Sequence, residues 1–324
     1  MTVLAPAPDT EPVHAKRSSR AIGVDRSFRG LTLSAGLLVL AILALIAYST
    51  VAHAWPAFRH SGLGYLTGHT WDPNVNEYGA FDFIYGTLFS AFLGVAIAVP
   101  LSMGIALFIT ELAPKRVRTF VTYLIDLLAA IPSVVYGWWA FIVLTSPAAN
   151  VYQHIADTLG SLPVLNRFLG GPVLGSSFMT AGIILAVMVT PIITVLARES
   201  LLTVSQEDKN AALAMGATRW ETLRVAVFPR VRSGLVGAVM LGLGRAMGET
   251  IAVALVIGGV HQTTTHVFFA GDTMAARIVH EFAEATDLWR AALIGLGVVL
   301  FAITIIVNMA ARSIVARTER YGTA

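Results

Sequence analysis

The sequence contains no cysteine in 324 residues, so it forms no disulfide, offers no thiolate nucleophile and builds no cysteine zinc site. Charge is scarce too. Asp, Glu, Lys and Arg make up 13% of the chain, against 56% hydrophobic residues, where a soluble domain carries about a quarter charged residues. That balance excludes an ordinary soluble domain and describes a membrane protein. Lysine occurs only at Lys16, Lys115 and Lys209, none of them after a glycine. The chain therefore lacks the GKS or GKT phosphate loop and does not hydrolyse ATP by that route. No nucleophile–base arrangement suggests a soluble-enzyme reaction.

What the sequence has in abundance is long apolar runs. Six stretches, 31–51, 84–110, 121–145, 173–197, 234–259 and 291–311, meet the requirement of about 20 mostly apolar residues. Lipid offers no partner for an unpaired backbone group, so all six are predicted to be helices, giving an all-α membrane protein with six transmembrane helices. Pro100, Pro132 and Pro191 fall inside three of them and are expected to kink them. The first run exceeds the 7–15 apolar residues of a cleaved signal, so a retained helix is expected in spite of the small-x-small Ala52-His53-Ala54 after it.

Basic residues orient the bundle. Lys16, Arg17, Arg20, Arg26 and Arg29 precede the first run, and Lys115, Arg116 and Arg118 lie between the second and third. Arg198, Lys209, Arg219, Arg224, Arg230 and Arg232 separate the fourth from the fifth, and Arg312, Arg317 and Arg320 follow the sixth. Only Arg59, Arg167, Arg277 and Arg290 fall on the other side, so the positive-inside rule puts both termini in the cytoplasm. Loops facing anionic inner-leaflet lipid account for a pI near 9.3 without a nucleic-acid partner.

The organisation expected from composition is a disordered cytoplasmic tail over 1–30, a first helix and outer loop over 31–83, a transmembrane domain over 84–313 with a cytoplasmic loop at 198–233, and a short tail over 314–324. In that loop, SQED at 205–208 has the form that caps a helix start, and Gly216 is suited to end the helix. TRWE at 218–221 repeats the cap, and the second helix, with Trp220, Leu223 and Val227 on one face, is expected to stop at Pro229. Either the bilayer interface or a groove on a cytoplasmic partner could cover that apolar stripe.

The fifth run poses a different problem, because Arg245 and Glu249 lie near its centre. A charge at mid-bilayer costs about 2.5–3.5 kcal/mol on insertion scales and so should face the bundle interior and find a partner. On a continuous helix the two are one turn apart, and Gly244 and Gly248 beside them permit close approach. The pair is either a buried ion pair that fixes packing or a station where the guanidinium fork meets an anion in transit while Glu249 neutralises it between passages. Asp126, expected within the third run, is a second pathway candidate or a partner for a loop cation. Ser133 and Tyr136 stand beside Pro132 and could offer hydroxyls to a pathway, or bond their own backbone. Glu111, near Lys115, Arg116 and Arg118, is expected to pair with them at the interface. His261, His266 and His280 share an outer loop but lack metal-site spacing, and no metal is expected. Asp82 is a lone charge beside an apolar stretch.

NAALAMGATRWETLRVAVFP at 210–229 resembles the signature loop of the membrane subunits of bacterial ABC importers. Ala211, Ala212, Gly216 and Pro229 match it in register, while Asn210 stands where the family carries Glu. GAFDFIYGTL at 79–88, GIALFITELAP at 104–114, LLAAIPSVVYG at 127–137 and LGLGRAMGET at 241–250 resemble one branch, the C-type permease of phosphate-specific importers. The resemblance implies a type I importer permease fold in the bacterial inner membrane, and a chain that is no enzyme and binds no cofactor itself. It implies a second permease subunit, a cytoplasmic ATPase dimer that uses ATP and Mg, and an external phosphate-binding protein. It assigns ATPase coupling to Asn210, Ala211, Ala212 and Gly216, and phosphate passage to Arg245 and Glu249. A permease for another oxyanion such as sulfate, the companion phosphate subunit, and an ion-coupled transporter or channel remain as alternatives.

Overall fold

A computed structural model describes residues 19–160 and 162–320 of the chain. Among these described residues, six helices are long and apolar enough to cross a membrane: Ser27–Ser61, Phe81–Leu112, Ser133–Leu159, Phe178–Leu202, Arg219–Gly248 and Asp287–Ser313. The chain separates into two units, Met1–Ser49 and Thr50–Ala324. The described part of the first is helix α1, Ser19–Ser61, which continues into the second unit. Helix therefore replaces the expected disordered tail from Ser19 onward, and residues 1–18 lie outside the described residues. The expected tail over 314–324 is likewise helical as far as Arg320.

In the second unit, α2 (Gly64–Thr67) and a two-stranded hairpin, β1 (Trp71–Asp72) with β2 (Glu77–Tyr78), lead to α3 (Phe81–Leu107), which runs on into a π turn at Phe108–Leu112. α3 packs against α8 (Phe178–Leu202). Their crossing is close because a Cβ on Gly94 would stand 2.7 Å from Leu185 Cβ, and one on Gly182 would stand 2.9 Å from Leu93 Cβ. Without water to drive association, small residues at the contact supply van der Waals closeness. Ser102 Oγ, fully buried, donates to the Thr190 carbonyl across the same contact at 3.1 Å. Pro100 and Pro191 lie inside these two helices without ending them.

Pro132 acts differently. The expected span 121–145 is broken into α4 (Lys115–Ala130) and α5 (Ser133–Trp139), with Ile131 and Pro132 extended at ψ of 128° and 138°. The proline ring crowds the preceding residue out of helical geometry. α5 continues through a π turn into α6 (Thr145–Leu159), so the span moves to 133–159. α7 (Pro163–Leu169) follows before α8.

The 198–233 loop folds as α9 (Gln206–Ala214), a turn at Gly216 with φ +88°, and α10 (Arg219–Thr222). Ser205 Oγ accepts from the Asp208 N–H, and Thr218 with Glu221 forms the reciprocal capping box. The second helix does not stop at Pro229. A π turn at Leu223–Val227 carries it into α11 (Phe228–Gly248), where the proline sits in the first turn and its missing N–H costs nothing.

α11 ends at Gly248, so the predicted single span 234–259 is also broken. Glu249 is extended at ψ 129°, and α12 (Ile251–Val256) restarts the helix. α12 lies against α5, where a Cβ on Gly137 would stand 2.6 Å from Ala252 Cα. Gly258 and Gly259, with φ of +101° and +72°, turn the chain into a loop that leads to α13 (Met274–Glu281) and α14 (Asp287–Arg320). The main core joins residues of α3, α8, α11 and α12, among them Ala98, Ile184, Val189, Met247 and Val253.

Candidate functional site

A cleft of about 880 Å³ runs between α11 and α14, with Ile192 of α8 on its wall and Arg245, Glu249 and Arg312 among its lining residues. Its depth in the bundle follows from the packing of α11 on α8. A Cβ on Gly234 would stand 2.4 Å from Ser200 Oγ, and one on Gly242 would stand 2.6 Å from Ile193. The antiparallel register so defined puts Arg245 level with about residue 190, the middle of α8. The guanidinium is exposed in this cleft and no carboxylate lies within 4.0 Å of it among the described residues.

The expected ion pair between Arg245 and Glu249 is therefore not formed. The reason is the break after Gly248, which removes Glu249 from the helical face that carries Arg245. Its Oε1 instead accepts from the Ala252 N–H at 3.5 Å, satisfying an otherwise free donor in the first turn of α12. Both side chains still line one cleft, so the carboxylate lowers the local positive charge without occupying the guanidinium.

The other pathway candidates lie elsewhere. Asp126 is exposed on α4, outside every membrane span, and makes no ion pair within 4.0 Å among the described residues. The Tyr136 hydroxyl donates to the Leu128 carbonyl at 2.9 Å, bridging the break at Pro132 and satisfying a helix-end acceptor. Ser133 opens α5 and is half-buried. Neither lines the cleft.

Of the coupling candidates, Asn210, Ala211 and Gly216 are exposed and Ala212 is half-buried. Asn210 Oδ1 accepts from Gln206 Nε2 on the same helix. Met215 is 89% and Trp220 61% exposed, whereas Val227 is buried and Leu223 packs with it in a local core that includes Ala106 and Leu201. Of the expected apolar stripe, Leu223 and Val227 are thus covered by the bundle itself and Trp220 is not. Glu111 does not pair with its sequence neighbours. It accepts from Lys209 Nζ at 2.6 Å, because the π turn at the end of α3 meets α9 there, and this bond ties the hairpin to the second span. Asp208 pairs with Arg230.

At the opposite ends of the spans, sequence reasoning missed two polar clusters. Asp82, only 6% exposed, accepts from Thr263 Oγ1 at 2.6 Å and lies 2.7 Å from His69 Nδ1, which accounts for the lone charge. Arg277 lies 2.6 Å from both Asp272 Oδ2 and Glu281 Oε1, donates to the Gly259 carbonyl and covers the Phe83 ring at 5.0 Å. The Asp272 contact is one of charge, off the direction of a hydrogen bond. Glu281 Oε2 accepts from the indoles of Trp71 and Trp289 at 2.9 Å each. Burial raises the Asp272 pKa despite the pull of Arg277. Burial would also raise that of Glu281, but Trp289, Trp71 and Arg277 together hold it below its ordinary value. These clusters join residues up to 210 positions apart, and no local pattern announces such contacts. Thr304, Asn308 and Arg312 line the cleft and were legible in principle, since their spacing of four marks one helical face in an apolar run. Among the described residues, no group of three or more His, Asp or Glu could hold a metal.

Residues 98–320 match the family described as the binding-protein-dependent transport system inner membrane component. The chain is 39% identical over 317 residues to the phosphate transport system permease protein PstC of Mesorhizobium japonicum, covering 95% of this chain and 97% of that one. It is 40% identical over 305 residues to the protein of that name in Xylella fastidiosa strain Temecula1, covering 94% of each. Its fold resembles a chain of a bacterial alginate ABC transporter, with TM-score 0.60 at 16% identity over 90% of this chain and 96% of that one. A chain of the MetNI methionine ABC transporter gives TM-score 0.55 at 16% identity, over 73% and 94%. The chain thus belongs to the family of binding-protein-dependent transport system inner membrane components, as a multi-pass inner-membrane permease with the type I fold of ABC importers.

Proposed function

We propose that the chain is the membrane-spanning subunit of an ATP-driven importer of inorganic phosphate, with both termini cytoplasmic and the phosphate crossing beside Arg245. The observation that carries this reading is an unpaired guanidinium at mid-span depth, exposed in a cleft, in a chain whose relatives are phosphate permeases. A planar guanidinium offers two parallel N–H donors to a phosphate, replacing part of the hydration the anion gives up on entering the bundle. Glu249 keeps the cleft from being so positive that the anion stays, since conduction needs binding strong enough to admit and weak enough to release.

In this reading the chain pairs with a second permease subunit, so that the cleft is closed by a partner helix. An external phosphate-binding protein delivers the anion. A cytoplasmic ATPase dimer, which supplies the ATP and Mg chemistry, pushes on the α9–α10 hairpin at Asn210, Ala211, Ala212 and Gly216. The Lys209–Glu111 bond transmits that push to α3. The chain itself needs no cofactor.

The test is uptake of labelled phosphate by Arg245→Gln at unchanged membrane abundance. Loss of most uptake is expected, with Arg245→Lys intermediate because one point charge replaces the fork. Undiminished uptake by Arg245→Gln would overturn the reading, and equal competition by sulfate would reassign the anion.

A further inference from the structure

The cleft that holds Arg245 has a second guanidinium. Thr304, Asn308 and Arg312 of α14 all line it, and at i, i+4 and i+8 they form one stripe along the helix. Facing them, Gly237, Gly244 and Gly248 of α11 have no atom within 4 Å of where a Cβ would stand. Between the two cations the α11 wall is therefore bare backbone at Gly237 and Gly244, with the uncharged side chains of Val236 and Met240 beside it. α11 and α14 belong to consecutive spans and run antiparallel, so Thr304 lies toward Arg245 and Arg312 toward Ser233, at the end where the hairpin enters α11. Among the described residues no carboxylate lies within 4.0 Å of Arg312.

We infer that Arg312 is a second holding point for the translocated oxyanion, on the release side of Arg245. The inference rests on the reading of the cleft as the anion route. An anion that leaves Arg245 at mid-span moves away from its countercharge, and a second cation at the exit lowers the cost of that step. The Asn308 amide, one turn from Arg312, is the donor available between them, because the Thr304 hydroxyl is already committed to the Leu300 carbonyl at 2.8 Å. Arg312 does more here than mark the cytoplasmic end of a span.

The chain has no cysteine, so a single Asn308→Cys change gives one reactive thiol in it. The variant is expressed with its partner subunits and probed in inside-out vesicles, without nucleotide and with ATP. Two methanethiosulfonate reagents of similar size are compared, one carrying a sulfonate and one a trimethylammonium group. Their rate ratio cancels changes in the thiol's own reactivity. The ratio is expected to favour the sulfonate and to fall roughly tenfold when Arg312→Gln is added, the effect on two oppositely charged reagents of removing one cation about 6 Å away in a water-filled cleft with a dielectric of about 80. Inorganic phosphate is expected to slow the modification. In uptake assays, Arg312→Gln lowers the maximal rate with little change in KM, and Arg312→Lys restores most of it. A ratio that Arg312→Gln leaves unchanged overturns the inference, as does a thiol that neither reagent reaches in either nucleotide state. A ratio that falls as expected without protection by phosphate makes Arg312 an anion site but refutes phosphate as its anion, which is the failure of the proposed function.

Discussion

Gly242 and Gly244 stand two positions apart on α11, yet the structure assigns opposite outcomes to the same substitution. A Cβ at 242 would lie 2.6 Å from both Cδ1 and Cγ1 of Ile193, which is itself fully buried and has nowhere to retreat. A Cβ at 244 meets nothing within 4 Å and projects into the cleft. Replacing glycine by alanine inside a helix gains up to about 1 kcal/mol in propensity. At 244 nothing opposes that gain. At 242 overpacking costs about 1–3 kcal/mol, so the net is a loss of about 1 kcal/mol and the two variants differ by about 2 kcal/mol. Thermal unfolding of the purified protein measures this, with Gly244→Ala melting at or slightly above the parent and Gly242→Ala a few degrees below it. Gly244→Leu then separates stability from function. It should melt like the parent and import little, because its side chain fills the route beside Arg245. Equal destabilisation by Gly242→Ala and Gly244→Ala would refute the packing argument, and native uptake by Gly244→Leu would refute the route.

Three further outcomes are expected. Gly86→Ala would drive a Cβ to within 1.9 Å of the Asp272 carbonyl oxygen; a backbone atom does not yield as a side chain does, so a loss of about 3 kcal/mol and a fall in membrane abundance follow, measurable by quantitative immunoblot. For Lys209 and Glu111, joined at 2.6 Å, melting of Lys209→Met, Glu111→Gln and the double variant should give a coupling of about 1 kcal/mol; strict additivity would show that the bond does not tie the hairpin to α3. Glu281 has its folded-state pKa lowered, so its stabilising contribution is present above the ordinary glutamate range near 4.3 and is lost as pH falls through the depressed folded value. Glu281→Gln should flatten the acid limb of the melting-temperature profile. An unchanged limb would show that the indole and guanidinium contacts do not stabilise the charged form.

Much of the architecture was legible because membrane insertion reads a one-dimensional quantity. Six apolar runs gave six spans, and boundaries moved by no more than about ten residues except where the chain breaks and at the start of the fifth, which begins at Arg219 because the hairpin's second helix runs on into it. The hairpin was legible for a local reason too, since Ser205, Gly216, Thr218 and Glu221 satisfy or turn backbone within three or four residues. The breaks at Pro132 and Glu249 were not. Pro100 and Pro191 lie in continuous helices, so proline alone does not distinguish a kink from a stop; what decides is whether the freed backbone groups and the next segment find partners. At Pro132 the Tyr136 hydroxyl reaches back to Leu128, and at Glu249 a carboxylate caps a short helix docked on Gly137.

The candidate site divides along the same line. Composition and spacing by themselves determined that a guanidinium sits halfway along an apolar run, that no phosphate loop accompanies it, and that glycines flank it, because these are properties of neighbours in the chain. Only the tertiary structure decided that Glu249 turns away from Arg245, that Glu111 meets Lys209 rather than Lys115, and that Arg312 shares a cleft with Arg245. Each of those depends on where two helices meet or where one ends. Such meetings are fixed by packing between residues tens to hundreds of positions apart, which leaves no periodic trace along the sequence.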